Sequence, residues 1–441
     1  MTLTPGQAQR RYVGLTALRW LPIGISAPVT VLLMTARGLS PADIGLVLVA
    51  YGFVTLLLEL PTGGLADSIG HKPVLVLSGL LAIASMLLMV VADGLLMFAV
   101  AWAVQGVSRA LDSGPLEAWF VDTVHLADPD ADVTPGLSRA GAADGLGLSF
   151  GAVVGGLIPL VVGDDEGAFA VPLIVASGMT LVSLACVVLL VRPLTTSDRS
   201  GVAALRAGVR EVPRVVRDTA VLVARNRLLR LLWVVSFLTG TVLTSMELLG
   251  PLQFADLSGS LAEGSAVYGV VMAVSFAAAG LGALLAPAAR RLARGSVAWA
   301  SLAFALLGAL TMVGVALAPG VVLAGVAYAL FYLFNGGGWP LRQQLMHEQT
   351  TSSQRSTTVS AASFALMLGG MLGSLLIPRL AEAAGYPAGF LAGAAALALL
   401  GIVSLGLRPT RADEPLERAA TSNPQATDLT TSPGVVSREA G

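Results

Sequence analysis

Lysine is nearly absent from this chain: Lys72 is the only one in 441 residues. There is one cysteine, Cys186, and there are three histidines, His71, His125 and His347. One cysteine closes no internal disulfide, and ligands this sparse build no convincing zinc site. His71 precedes Lys72 and Pro73 follows it, so the G-x4-G-K-[ST] phosphate loop is missing and P-loop ATP hydrolysis is excluded for this chain. No Ser/His/Asp constellation stands out, so an enzyme is not expected, nor is a cofactor. Charge is scarce too. Asp, Glu, Lys and Arg make up 12% of the residues, about half the share of a soluble domain. The net charge of −1 carries no information about partners, because what matters is where charges lie; nucleic acid is not among the partners expected.

What fills the chain instead is apolar: 55% hydrophobic residues and a mean hydropathy of +0.80. Residues 169–191, 264–289, 356–378 and 383–407 contain no charge, and each is long enough for one helix to cross a bilayer core, which takes about 20 residues. Residues 295–341 form a longer uncharged run, broken by Ala318-Pro319-Gly320 into two spans and a tight turn. This predicts an all-α polytopic membrane protein. Its twelve transmembrane helices fall near 12–35, 43–60, 73–92, 94–118, 141–162, 169–191, 229–252, 264–288, 296–317, 320–341, 356–378 and 386–407. The first is too long for a cleaved signal peptide.

Loops on the side of the N-terminus hold Arg10, Arg11, Lys72, Arg139, the arginines of 192–230, Arg290, Arg291, Arg294, Arg342 and Arg355. The opposite loops hold only Arg37 and Arg379, beside acids such as Asp164, Asp165 and Glu166. The positive-inside rule therefore places both termini in the cytoplasm of a cell whose plasma membrane the chain spans. The expected organisation is an N-terminal six-helix bundle (1–191), a basic cytoplasmic linker (192–228), a C-terminal six-helix bundle (229–408) and a disordered cytoplasmic tail (409–441). The linker reads either as an amphipathic helix along the inner leaflet or as a solvated connector. Weak echoes relate the halves: VVGGLIP at 153–159 to MLGSLLIP at 371–378, and Gly114-Pro115 to Trp339-Pro340. Internal repetition of this kind builds many secondary transporters, with substrate held where the halves meet.

Between the second and third spans runs Gly63-Gly64-Leu65-Ala66-Asp67-Ser68-Ile69-Gly70-His71-Lys72-Pro73-Val74-Leu75. It closely resembles the corresponding loop of the major facilitator superfamily, G-x-L-A-D-R-x-G-R-K-x-x-L, with Ser68 and His71 in place of two basic residues. The resemblance implies two pseudo-symmetric bundles and is greatest to the twelve-span drug:proton antiporter group. It assigns Gly63, Asp67, Gly70 and Lys72 to a conformational latch. The physics agrees: glycines permit a sharp turn, and Asp67 can cap a helix N-terminus or pair with a cation; a partly wet ion pair, worth on the order of 1 kcal/mol, biases an equilibrium yet breaks each cycle.

In the fifth span, Gly147, Gly151, Gly155 and Gly156 match the superfamily's antiporter motif G-x3-G-P-x2-G-G, with Ala152 in place of proline. The resemblance gives this face to sealing the halves in exporters. Small-residue faces are also common in membrane helices generally. In the fourth span Gln105 and Gly106 match the family's R-x-x-Q-G, but Trp102 replaces the arginine. Arg109 lies two turns further on nearly the same face.

Buried charge marks where coupling can reside, since an ionised group at the bilayer centre costs about 2.5–3.5 kcal/mol. Arg19, Glu59, Arg109, Asp112, Glu117 and Asp144 fall in or at the ends of the first, second, fourth and fifth spans. Arg109 and Asp112, three residues apart, can offset each other. Glu59 and Glu117 read as interfacial groups or partners of Lys72, and Asp144 as a partner of Arg139. Asp112 is the leading coupling candidate, against a purely structural ion pair. In the second half Glu247 stands out, with Thr241, Thr244 and Ser245 nearby; Asn335 accompanies Tyr328, Phe331, Tyr332 and Phe334. An acid beside aromatics suits an amphipathic, cationic ligand or simply helix packing.

The function expected is secondary active transport by alternating access, led by proton-coupled efflux of a small drug or metabolite. A proton symporter or uniporter importing a nutrient is the first alternative; a membrane enzyme or non-transporting scaffold is the second. Partners expected are the solute, protons or another ion, and the lipid bilayer. The sequence leaves the oligomeric state open, and a monomer suffices.

Overall fold

In the computed structural model the described residues are 3–63, 65–163, 165–193, 223–348 and 355–407, with 210, 214, 217, 220 and 221 between them. The tail 409–441 and most of the linker 192–228 lie outside them. Twelve helices are long and apolar enough to cross a membrane: Pro5–Ala36, Pro41–Glu59, His71–Val91, Gly94–Ala127, Thr134–Val162, Glu166–Leu190, Arg227–Ser258, Leu261–Leu292, Val297–Ala316, Val321–Gln344, Val359–Ala384 and Tyr386–Leu407. They are numbered below as spans in that order. Several begin on side chains that cap free backbone N–H groups. Thr4 forms a capping box with Gln7, and Asp165, Ser260 and Ser296 accept from the backbone of Ala168, Glu263 and Trp299. Leu96, Val161 and Leu284, 77%, 86% and 76% exposed, belong to the outer apolar surface that lipid covers.

The fourth span departs from the continuous helix predicted over 94–118. It is two pieces, Gly94–Asp112 and Pro115–Ala127. Gly114 takes a left-handed φ of +98°, open to glycine without penalty, and Pro115 starts the second piece where its missing N–H costs nothing. Pro340, the sequence counterpart of Pro115, makes no such break: the helix Val321–Glu348 runs through it. The corner at 113–114 leaves Asp112 at a helix end, free to reach another span.

The halves repeat one packing device. A Cβ on Gly151 would overlap the carbonyl oxygen of Leu21, and one on Gly155 that of Ile25. In the second half a Cβ on Gly369 would overlap the Phe237 carbonyl, and one on Gly373 would crowd Thr241. Gly24 against Leu148 and Gly240 against Leu366 are likewise equivalent. Span 5 thus lies backbone-to-backbone on span 1, as span 11 does on span 7.

Across the halves, span 5 meets span 8, and span 11 meets span 2. Gly156 packs on Ser265 and Gly269, with Ser265 Oγ donating to the Gly156 carbonyl at 2.8 Å. Gly45 packs on Ser374, and Gly52 on Met371. Glu382 Oε1 accepts from the Ala42 N–H at 2.7 Å, so a carboxylate of one half caps a helix start of the other. The Gly156, Gly45 and Glu382 contacts lie toward the face where spans 1 and 2 join, here called the far face, and Gly52–Met371 lies midway along span 2; residues 5 and 407, the outer ends of spans 1 and 12, lie at the opposite, termini face. Glu382→Ala removes a cap worth about 0.5–1 kcal/mol at this exposed position. It is expected to raise the population open at the far face about two- to fivefold, read by spin-label distances between loops at 38 and 385; unchanged distances would deny the cap any role.

Candidate functional site

Between the halves lies a cavity of about 680 Å³, within the size range of small-molecule sites. Spans 1 to 6 and spans 7, 8, 10 and 11 contribute to its wall. Most of the lining is apolar, including Met86, Met272, Met367 and Met371. Among the described residues, four charged side chains reach it: Arg19, Arg109, Asp112 and Glu247.

Asp112 does not pair with Arg109, contrary to the expectation from their spacing. From the helix end at the corner it forms an ion pair with Arg19 of span 1, and Ser78 Oγ of span 3 lies 3.3 Å from its Oδ1. Three spans therefore converge on one carboxylate. Arg109 forms no ion pair among the described residues; its charge acts at a distance on Glu59 and Asp144. Asp144 is not paired with Arg139 either. Five residues apart on a helix, the two side chains diverge by about 140°, and Asp144 Oδ1 is buried with no hydrogen-bond partner among the described residues.

Trp102, Gln105, Arg109 and Asp112 form one stripe of span 4 facing the cavity. Trp102 packs edge-on against Tyr51, with ring centroids 5.3 Å apart. Its indole N–H, Arg19 Nη1 and Gln105 Oε1 are buried and lack partners among the described residues. Opposite, Glu247 sits deep in span 7 with its carboxylate turned to the cavity's open space, and it too has no hydrogen bond or ion pair among the described residues. Tyr268 and Tyr332 stand within electrostatic reach of it, and Met272 and Phe276 line the same cavity. Tyr328 is a strut behind this wall, donating to the Met246 carbonyl at 3.0 Å and touching the Tyr268 hydroxyl at 3.1 Å. Asn335 serves Arg342, whose Nη2 donates to its Oδ1 at 3.2 Å. Tyr51 and Tyr268 had escaped sequence reading; a lone tyrosine in an apolar span was the available signal.

At the termini face, span 2 runs into Gly63, and a short helix, Leu65–Ile69, carries Asp67. The side chain of Asp67 and the surroundings of Gly63 lie outside what is described. Gly70 turns the chain at φ +92° and starts span 3. Lys72 reaches neither Glu59 nor Glu117: its Nζ donates to the Val188 carbonyl at 2.6 Å, near the end of span 6, where free carbonyls and the helix dipole favour a cation. His71 instead pairs with Asp122 at 3.0 Å.

The glycines of span 5 are divided between two tasks. Gly147, Gly151 and Gly155 seat span 1 within the same half, whereas Gly156 alone of the four meets span 8 of the other. The i, i+4 spacing places the first three on one face, and Gly156, one residue on, turns by about 100°.

Among solved structures the chain resembles the nucleoside transporter NupG (TM-score 0.71, 12% identity, 91% of this chain and 98% of that one). It also resembles the peptide transporter POT in complex with sulfate (TM-score 0.70, 14% identity, 91% and 94%) and a D-xylose-proton symporter (TM-score 0.69, 13% identity, 91% and 98%). No curated protein matches its sequence. The family model described as Major Facilitator Superfamily matches residues 13–334. With twelve spans folded around a central cavity, the chain belongs to the major facilitator superfamily of membrane transporters.

Proposed function

We propose that this transporter is a proton-coupled exporter of a small organic compound, set in the plasma membrane with both termini in the cytoplasm. Residues 1–191 and 229–408 are its two rocking bundles, with 192–228 joining them and 409–441 as tail. The observation that carries the reading is the Arg19–Asp112 pair in the cavity wall. A proton taken by Asp112 cancels its charge and leaves a buried guanidinium without an anion, so one proton rearranges the surface that a solute touches. Proton and solute thereby bias the same two-state equilibrium. A gradient of one pH unit supplies about 1.4 kcal/mol, and 100 mV about 2.3 kcal/mol per charge, enough to drive such a cycle. Gly156 at the span 5–span 8 contact and Glu247, unpaired among the described residues, support export. The latch at Gly63, Asp67, Gly70 and Lys72 then fastens the cytoplasmic side.

Inside-out vesicles bearing the protein and offered a panel of dyes and drugs are expected to accumulate at least one compound when acidified inside, and to lose it on adding a proton ionophore. Uptake by right-side-out vesicles down an inward proton gradient would convert the reading to nutrient symport. Absence of pH-dependent accumulation for every compound would sink proton-coupled efflux.

A further inference from the structure

The cavity's two walls are chemically opposite. On the N-terminal half three buried lining groups lack partners among the described residues, two of them donors, Arg19 Nη1 and the Trp102 indole N–H, and one an acceptor, Gln105 Oε1; Arg109 faces the same space without an ion pair among the described residues. Arg19's other nitrogen is held by Asp112. On the C-terminal half the charged group is the Glu247 carboxylate, an acceptor with no donor among the described residues, within electrostatic reach of Tyr268 and Tyr332. Buried polar groups are normally satisfied, which Arg19 Nη1 and the Trp102 N–H are not among the described residues, while Arg109 and Glu247, exposed to the cavity's space, present opposite charges to whatever enters it. A bound group of opposite sign that displaces water from a mostly apolar cavity strengthens its attraction to each of these charges.

The charges also lie at different depths. Arg109 is fifteen residues from the far-face end of its helix at Gly94, and Glu247 eleven from its own at Ser258. At the helical rise these are about 22 and 16 Å. Tyr51 lies within electrostatic reach of both. The remaining acids near Arg109, Glu59 and Asp144, do not line the cavity, so they temper its charge without occupying its face.

We infer that the substrate class is a small zwitterion with an apolar body, its anionic end toward Arg109, Arg19 and Trp102 and its ammonium toward Glu247 and the adjoining aromatic rings. The inference rests on the cavity being the transport site. It differs from a cation-only site, which would leave the donor wall unmet, and from an anion-only site, which would leave Glu247 unmet. The methionines and aromatic rings that line the cavity accept a varied apolar body.

The test uses the full chain in lipid nanodiscs and three matched probes: phenylalanyl-phenylalanine, its C-terminal amide (cation only) and its N-acetyl form (anion only). Trp20 and Trp102 line the cavity, so binding is read by tryptophan fluorescence, which these probes do not mask. The dipeptide is expected to bind about tenfold or more tighter than either relative, the scale of losing one buried charge contact. Arg109→Gln should erase its advantage over the amide, and Glu247→Gln its advantage over the N-acetyl form. A merely structural role would weaken all three probes alike. In the unaltered protein, an amide or an N-acetyl form binding as tightly as the dipeptide overturns the inference, and so does failure of all three to bind. Because flux in vesicles is measured with other compounds, either failure leaves the transport reading standing or falling separately.

Discussion

Gly155→Val is expected to cost this protein its folded state, whereas Gly141→Val, in the same helix, is expected to leave it intact. A Cβ at 155 would fall on the Ile25 carbonyl oxygen and press on that residue's carbonyl carbon and Cα, all of them backbone. Rotamer changes cannot relieve such a clash. Span 1 would have to withdraw, and Gly151 on Leu21 and Gly147 on Ala17 would lose their contacts with it. Overpacking a core typically costs about 1–3 kcal/mol, and a clash of backbone with backbone belongs at the upper end or above it. At Gly141 nothing lies within 4 Å of the added carbon, so an effect within about 0.5 kcal/mol is expected. Gly369→Val should reproduce the Gly155 result in the second half, since its Cβ would meet the Phe237 carbonyl in the equivalent way. Melting temperature and monodisperse yield in detergent decide it; equal behaviour of 141 and 155 would mean that spans 1 and 5 are not packed as described.

The helices were legible in the sequence because bilayer thickness imposes a length that uncharged runs must meet, and the fold class followed from their number. Helix ends were less so. Caps at Thr4, Asp165 and Ser260 extend spans beyond their apolar cores, which hydropathy does not register. The loop between spans 2 and 3 was legible as a turn, because glycine at +92° constrains residue type at a fixed position. Partnerships were not. Spacing along one helix suggested Arg109 for Asp112 and Arg139 for Asp144, and nearness to span ends suggested Glu59 or Glu117 for Lys72; none of these pairs forms among the described residues. Local spacing states which side chains can meet, while neighbouring spans decide which do. Arg19 offers a closer cation than Arg109, and the end of span 6 offers Lys72 a carbonyl. The glycine stripe shows the same limit: its spacing gives a flat face but not the helix that lies on it.

Arg19→Gln is expected to destabilise the protein severely, and the double variant Arg19→Gln/Asp112→Asn to recover most of the loss. The pair is poorly exposed, 16% for Arg19 and 25% for Asp112. Deleting one member of a buried pair leaves the other charge without compensation and costs about 3–5 kcal/mol, while replacing both with neutral groups of like shape is often close to neutral. Stability alone would not separate a structural pair from the proposed coupling device, because both predict this pattern. Binding against pH does separate them. In the double variant, folded but with no proton to exchange at this position, affinity for a transported compound should stop varying with pH, and a pH gradient should no longer drive accumulation in vesicles. Asp112→Asn alone should give the same flat profile at lower stability, with Arg19 freed and available to an anionic group of the solute. A double variant that folds yet keeps its pH dependence would reduce Arg19 and Asp112 to scaffolding. Proton coupling would then pass to Glu247, the other cavity acid, which faces open space with no counter-ion among the described residues.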